Sequence, residues 1–102
     1  MVNLIADKQN ELKDLCKRFG VKTLEVFGSA TQEASFTQTS DLDFLVDFLP
    51  MTPGEHADAY FGLLNALKEL FGREVDLLEV KAIDNPYLLE SINNSRVALY
   101  AA

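Results

Sequence analysis

Two aspartates, Asp41 and Asp43, stand one residue apart at the head of a segment whose apolar residues recur at every second position: Leu42, Phe44, Val46 and Phe48. In an extended strand, residues two apart point to the same side and lie about 7 Å from each other, so both carboxylates face one site while Leu42 turns to a core. Like charges held that close raise each other's proton affinity, and an oxygen-seeking dication such as Mg²⁺ relieves the repulsion. The other reading is an edge strand with a solvated acidic face, to which Asp47 belongs. A third acid, Asp76, sits inside the apolar run Val75-Asp76-Leu77-Leu78. Buried and unpaired it is costly, so it either pairs with Arg73 or Lys81 or joins a polar site. If its strand lies beside that of Asp43, three carboxylates converge. Such a cluster can hold two Mg²⁺ ions, one with a nucleoside triphosphate and one lowering the pKa of an attacking hydroxyl, with Asp76 able to help as general base.

A fourth feature is Gly28-Ser29, directly after Phe27 and at the start of a helical turn. Glycine permits close backbone approach, N–H groups at a helix start attract an anion, and the serine hydroxyl adds a donor. A tight turn with a serine cap is the plainer account of the same pair.

The elements that must position these residues follow from hydrophobic period and from breakers. Leu4, Ile5, Leu12, Leu15, Cys16 and Phe19 predict one helix that stops at Gly20. Val21 to Phe27 predicts a strand, and the polar Thr31 to Ser40 a helical turn plus an exposed loop. The strand from Asp41 ends before Pro50, and Ala57 to Phe71 is an amphipathic helix that stops at Gly72. Glu74 to Val80 reads as a third strand, Pro86 opens a short helix towards Asn94, and Arg96 to Tyr100 adds a last short strand. Helices crossing between strands imply an α/β (α+β) fold, a mixed sheet of three to four strands with helices packed on it.

Phe27-Gly28-Ser29, the acid pair Asp41-Leu42-Asp43 and the later Val75-Asp76-Leu77 together resemble the signature of the polymerase-β nucleotidyltransferase superfamily. The short length resembles its minimal nucleotidyltransferase branch, the antitoxins of HEPN/MNT toxin–antitoxin pairs. The resemblance runs from the strand before Gly28 to the tail Asn85-Pro86-Tyr87 through Val97-Ala98-Leu99-Tyr100. It implies that Gly28 and Ser29 touch the triphosphate of ATP and that Asp41, Asp43 and Asp76 bind Mg²⁺ and carry catalysis. The implied reaction moves AMP from ATP to a hydroxyl, with release of pyrophosphate; for antitoxin members the acceptor is a tyrosine of the partner HEPN ribonuclease, in a hetero-oligomer. The chain departs from the family pattern where Ala30, Thr31, Gln32, Glu33 and Ala34 follow Ser29, because typical members place an arginine straight after Gly-Ser and a glycine soon after. That departure keeps open a second reading, a binding-only antitoxin with a decayed nucleotide site.

Composition bounds the rest. A chain of 102 residues with 48% apolar and 25% charged residues is sized and composed for one globular domain, 1–102. Nine basic against sixteen acidic residues give a net charge of −7, with a pI near 4.5, which disfavours direct binding to nucleic acid or an anionic membrane. The same charge argues against a third reading, transfer to RNA or to a small molecule. The single cysteine, Cys16, excludes an internal disulfide, and neither a signal peptide nor an apolar membrane span is apparent, so the expected location is the cytoplasm. Cys16 reads as a core residue, His56 as a surface or capping residue, and Tyr60, Phe61, Leu64 and Leu67 as a core stripe. Tyr87, Tyr100 and Phe36 are all candidates for stacking on adenine. With helices on one side of a small sheet, the site is expected to be shallow and completed by the acceptor or a second subunit.

Overall fold

The computed structural model describes residues 2–32, 36–37 and 40–102. Its elements are α1 (Asn3–Ala6), α2 (Gln9–Arg18), β1 (Val21–Phe27), a 3₁₀ turn (Gly28–Thr31), β2 (Leu42–Phe48), α3 (Pro53–Phe71), β3 (Val75–Glu79), a second 3₁₀ turn (Val80–Ala82), α4 (Pro86–Asn93) and β4 (Val97–Ala101). The strands form one mixed sheet in the order β3-β2-β1-β4. β1 runs antiparallel to both β2 and β4, whereas β2 and β3 are parallel. A parallel pair requires a long crossover, and α3 supplies it.

The alternation read from the sequence decides the faces. Leu24 and Val26 of β1, Leu42, Phe44, Val46 and Phe48 of β2, and Val75 and Leu77 of β3 are buried in one core. α2 contributes Leu12 and Cys16 to it, and α3 contributes Ala59, Leu63, Leu67 and Phe71 at helical spacing. Burial pushes the Cys16 thiol up to about 12, as befits a residue acting as a small hydrophobe. α3 starts on a capping box, in which the Thr52 hydroxyl accepts from the Glu55 N–H and the Glu55 carboxylate accepts from the Thr52 N–H. It ends at Gly72, in the left-handed region at φ 63°. Within α3 a Cβ at position 62 would lie 2.5 Å from the Phe19 ring, so Gly62 is what lets that ring pack against the helix. Among the described residues no helix is long and apolar enough to cross a membrane.

Several expectations are corrected. The first helix is two, α1 and α2, separated at Asp7 and Lys8; the Val2 N–H is tied to the Ala30 carbonyl at 3.1 Å, which holds the start of the chain against the first 3₁₀ turn while α2 packs on its own. β2 lies between β3 and β1, so the edge-strand reading of its acids fails. Phe61 is 61% exposed and sits edge-on against Tyr60 rather than in the core, because the buried row of α3 is 59, 63, 67 and 71. The helical turn expected to open at Gly28-Ser29 is the 3₁₀ turn Gly28–Thr31. Of the polar segment from Thr31 to Ser40, residues 33–35 and 38–39 lie outside the described residues.

Candidate active site

The second face of the sheet carries the polar alternates of the same strands. Asp43 faces Asp76 across the parallel β2–β3 pair, and Phe27 faces Asp43 across β1–β2. Phe27, Asp43 and Asp76 therefore form one row over three strands, pointing away from the core. Asp41 is exposed and lies just before β2. The surroundings push the Asp43 carboxyl up to about 6: its own burial contributes most, followed by the Asp76 charge, the hydrogen bond between the two carboxyls, and the Asp41 charge. The structure thus gathers all three sequence-selected acids within electrostatic reach, with Asp43 and Asp76 in direct contact.

The Gly28 turn completes this corner. Gly28 has φ 74°, and a Cβ there would stand 2.7 Å from Asp43 Oδ2, so the carboxyl rests against bare backbone. The Gly28 N–H donates to Ser95 Oγ at 2.9 Å, and Thr31 Oγ1 donates to the Gly28 carbonyl at 2.7 Å. Ser29 is half-buried within the same 3₁₀ turn. Glycine at this place is required twice, by its backbone conformation and by the neighbouring carboxyl.

Asp76 pairs with neither of the cations considered for it. Arg73 donates to the carbonyls of Thr37 at 3.2 Å and Ser40 at 3.0 Å, and its guanidinium stacks over Phe36 at 4.6 Å, holding the segment that leads into Asp41. Lys81 stands 3.6 Å from Asp47, at the far end of β2. Nor does His56 cap α3. It hydrogen-bonds Glu79 through Nε2 and lies edge-on to Phe48, in a cleft of about 360 Å³ bordered by Asp47 and Lys81, away from Asp43. Of the three aromatics weighed for base stacking, Tyr100 packs on the core side and Phe36 under Arg73, whereas Tyr87 is 81% exposed on α4. Phe27, which shares the row of the acids, was not among them.

Sequence reasoning also missed Glu25, Ser95 and Arg96. Ser95 reaches Gly28 across 67 positions and Arg96 reaches Glu25 across 71, a pairing that no local spacing signals. Glu25 alternates with the core residues Leu24 and Val26 and so shares the face of Asp43; the Arg96 guanidinium holds its carboxyl below the usual range.

The donor chemistry fits a hard dication: two acidic side chains in contact across the β2–β3 pair, with a third close by, offer only oxygen ligands. Among the described residues, no three His, Cys, Asp or Glu side chains already stand as a complete ligand group, so Asp43 and Asp76 are the pair that would hold the ion.

Residues 9–99 match the family described as nucleotidyltransferase domain. A Methanocaldococcus jannaschii protein named as a protein adenylyltransferase is 36% identical over 85 residues, covering 83% of each chain. A toxin–antitoxin crystal structure with AMP-PNP aligns at a TM-score of 0.70 and 19% identity, over 92% of this chain and 73% of that one. A tri-AMPylated Shewanella oneidensis HEPN toxin in complex with its MNT antitoxin aligns at 0.66 and 16% identity, over 96% and 73%. At those identities the two structures speak for the fold. The family match over most of the chain, together with the curated relative, makes this protein a member of the nucleotidyltransferase family.

Proposed function

We propose that residues 1–102 act as one nucleotidyltransferase domain that moves AMP from ATP to a hydroxyl, a tyrosine of a partner HEPN toxin, and so serves as the antitoxin of that pair. The observation that carries the reading is the Asp43–Asp76 contact seated against the bare backbone of Gly28. A phosphate-holding turn and a charge-concentrating carboxylate pair touch each other. The relatives named as adenylyltransferases and the toxin–antitoxin complexes of the same fold support the choice of reaction and partner.

In this mechanism the backbone of the Gly28 turn and the Ser29 hydroxyl hold phosphate oxygens of ATP. Asp43 and Asp76, with Asp41 at the rim, would hold Mg²⁺, which supplies Lewis-acid polarisation of the phosphates and lowers the pKa of the attacking hydroxyl. Asp76, the exposed member of the pair, faces the acceptor and takes its proton as general base. The acceptor oxygen bonds to the α-phosphorus as the bond to the β-phosphate breaks, and pyrophosphate leaves. The acids and the turn share an open sheet face, so the acceptor protein itself closes the site. The net charge of −7 does not suit an RNA acceptor.

The test is the intact mass of the co-expressed partner after incubation with Mg²⁺ and ATP. Adducts of one or more AMP units are expected with the unaltered chain and not with Asp43→Asn, whose transfer rate should fall by at least about 10³-fold. The second reading, a binding-only antitoxin, has one observation in its favour: Ala30, Thr31 and Gln32 place no cation in the turn. It requires that Asp43→Asn protect cells as well as the unaltered chain and that the partner never gain mass.

A further inference from the structure

Adenylyl transfer puts growing negative charge on the departing pyrophosphate, so a site that runs it needs a cation opposite those oxygens. Residues 28–34, Gly-Ser-Ala-Thr-Gln-Glu-Ala, supply none. The basic residues of α2 lie in the helical layer on the other side of the sheet. Arg73 is spent on the Thr37 and Ser40 carbonyls, and Lys68 stands 3.5 Å from Glu74. Lys81 meets Asp47, four residues along β2 from Asp43, or about 13 Å by strand rise.

Arg96 is placed differently. It follows Ser95, the residue whose hydroxyl receives the Gly28 N–H, so its backbone is one residue from an anchor on the turn. Its guanidinium forks onto Glu25, Nε to Oε2 at 2.5 Å and Nη2 to Oε1 at 2.6 Å, while Nη1 donates to Asn93 Oδ1 at 2.7 Å. Glu25 is two residues from Phe27 on the same face, about 7 Å along β1. The fork is thus held on the acid-bearing face, on the strand that runs into the Gly28 turn. Among the described residues three of the five guanidinium N–H groups are engaged, and the side chain is 32% exposed, which leaves two to face a ligand.

We propose that Arg96 is the triphosphate-binding cation of this site, held ready by Glu25 and Asn93 so that its outer N–H groups meet the β- and γ-phosphate oxygens. This rests on the nucleotidyltransferase reading of the Gly28 turn and the Asp43–Asp76 pair. Ser95 sets the turn beside the fork, and Glu25 balances the guanidinium when no nucleotide is present. A ligand with two or three phosphates engages the fork; AMP, lacking the outer phosphates, does not.

Calorimetric titration with ATP and with AMP, both in Mg²⁺, tests this on the unaltered chain, Arg96→Gln and Glu25→Gln, with thermal melts as the check on folding. Arg96→Gln should weaken ATP at least tenfold and AMP less than twofold, while Glu25→Gln, which removes the carboxylate that holds the fork ready, should weaken ATP by a smaller factor, about threefold, and leave AMP within twofold. Equal weakening of ATP by both variants would show the pair to be a structural staple and overturn the proposal, as would unchanged ATP affinity in Arg96→Gln. If Arg96→Gln melts too low to titrate, Arg96→Lys replaces it: the point charge lacks the fork, so about threefold weaker ATP supports the assignment and unaltered affinity rejects it. Failure of the unaltered chain to bind ATP would remove the nucleotide reading itself, and this one with it.

Discussion

The two ends of the β2–β3 strand pair hold the same kinds of side chain in opposite states of compensation. At the far end of β2 and β3 each acid has a cationic or protonatable partner, Asp47 with Lys81 and Glu79 with His56. At the near end Asp43 and Asp76 face each other, and no described basic side chain forms an ion pair with either. One end is electrostatically closed, and the other keeps a deficit that costs stability. A protein retains such a deficit where a ligand removes it, and this contrast, more than the number of acids, separates a site from a surface.

The sharpest way to break the contrast is to fill the space that allows it. Gly28→Ala puts a Cβ 2.7 Å from Asp43 Oδ2 at a positive φ, and should lower stability by about 2 kcal/mol and Tm by about 10 °C, read by thermal melting, with transfer lost as well. A neutral effect would mean that the carboxyl is not held against the turn. A smaller effect comes from relieving the deficit. The Asp43 pKa rises from 3.8 to about 6 on folding, so between those values the folded state binds more protons than the unfolded chain and stability falls as pH rises. Asp43→Asn should then stabilise the protein at pH 7 by about 1 kcal/mol, allowing for solvent screening of a half-exposed group, and the gain should vanish near pH 4. A gain that did not depend on pH would dissociate the effect from the carboxylate pair. The smallest change is expected from the compensated end: His56→Ala should cost less than about 1 kcal/mol in chemical denaturation and leave transfer to the partner unchanged. Loss of transfer in that variant would merge the two ends into one site.

Much of this was legible in the chain because the informative signals are local. The alternation from Leu42 to Phe48 gave the central strand and the direction of its acids, and Gly20, Gly72 and Pro86 marked where helices stop or start. What could not be read was everything that depends on register between strands. That Asp76 lies opposite Asp43, and that Glu25 meets Arg96, follows from how β1, β2, β3 and β4 are ordered, which single-strand periodicity does not encode. The break between α1 and α2 was invisible for a related reason, since both helices keep the same apolar spacing and the turn at Asp7 and Lys8 accompanies a tie to Ala30, far along the chain. The expectation of helices on one side only was also incomplete. Leu45 on the second face and Ile92 of α4 are each 1% exposed yet stand outside the main core, and Ser95 and Arg96 bind the end of α4 to that region.

The Val2–Ala30 hydrogen bond has a practical corollary for instrumenting the molecule. A fluorophore attached ahead of Val2 would emerge beside the Gly28–Thr31 turn and, on the proposed function, would sense nucleotide arrival there. The same dye beyond Ala102, whose N–H bonds the Lys22 carbonyl at the opposite end of β1, would sit about 20 Å away by strand rise and serve as the silent reference.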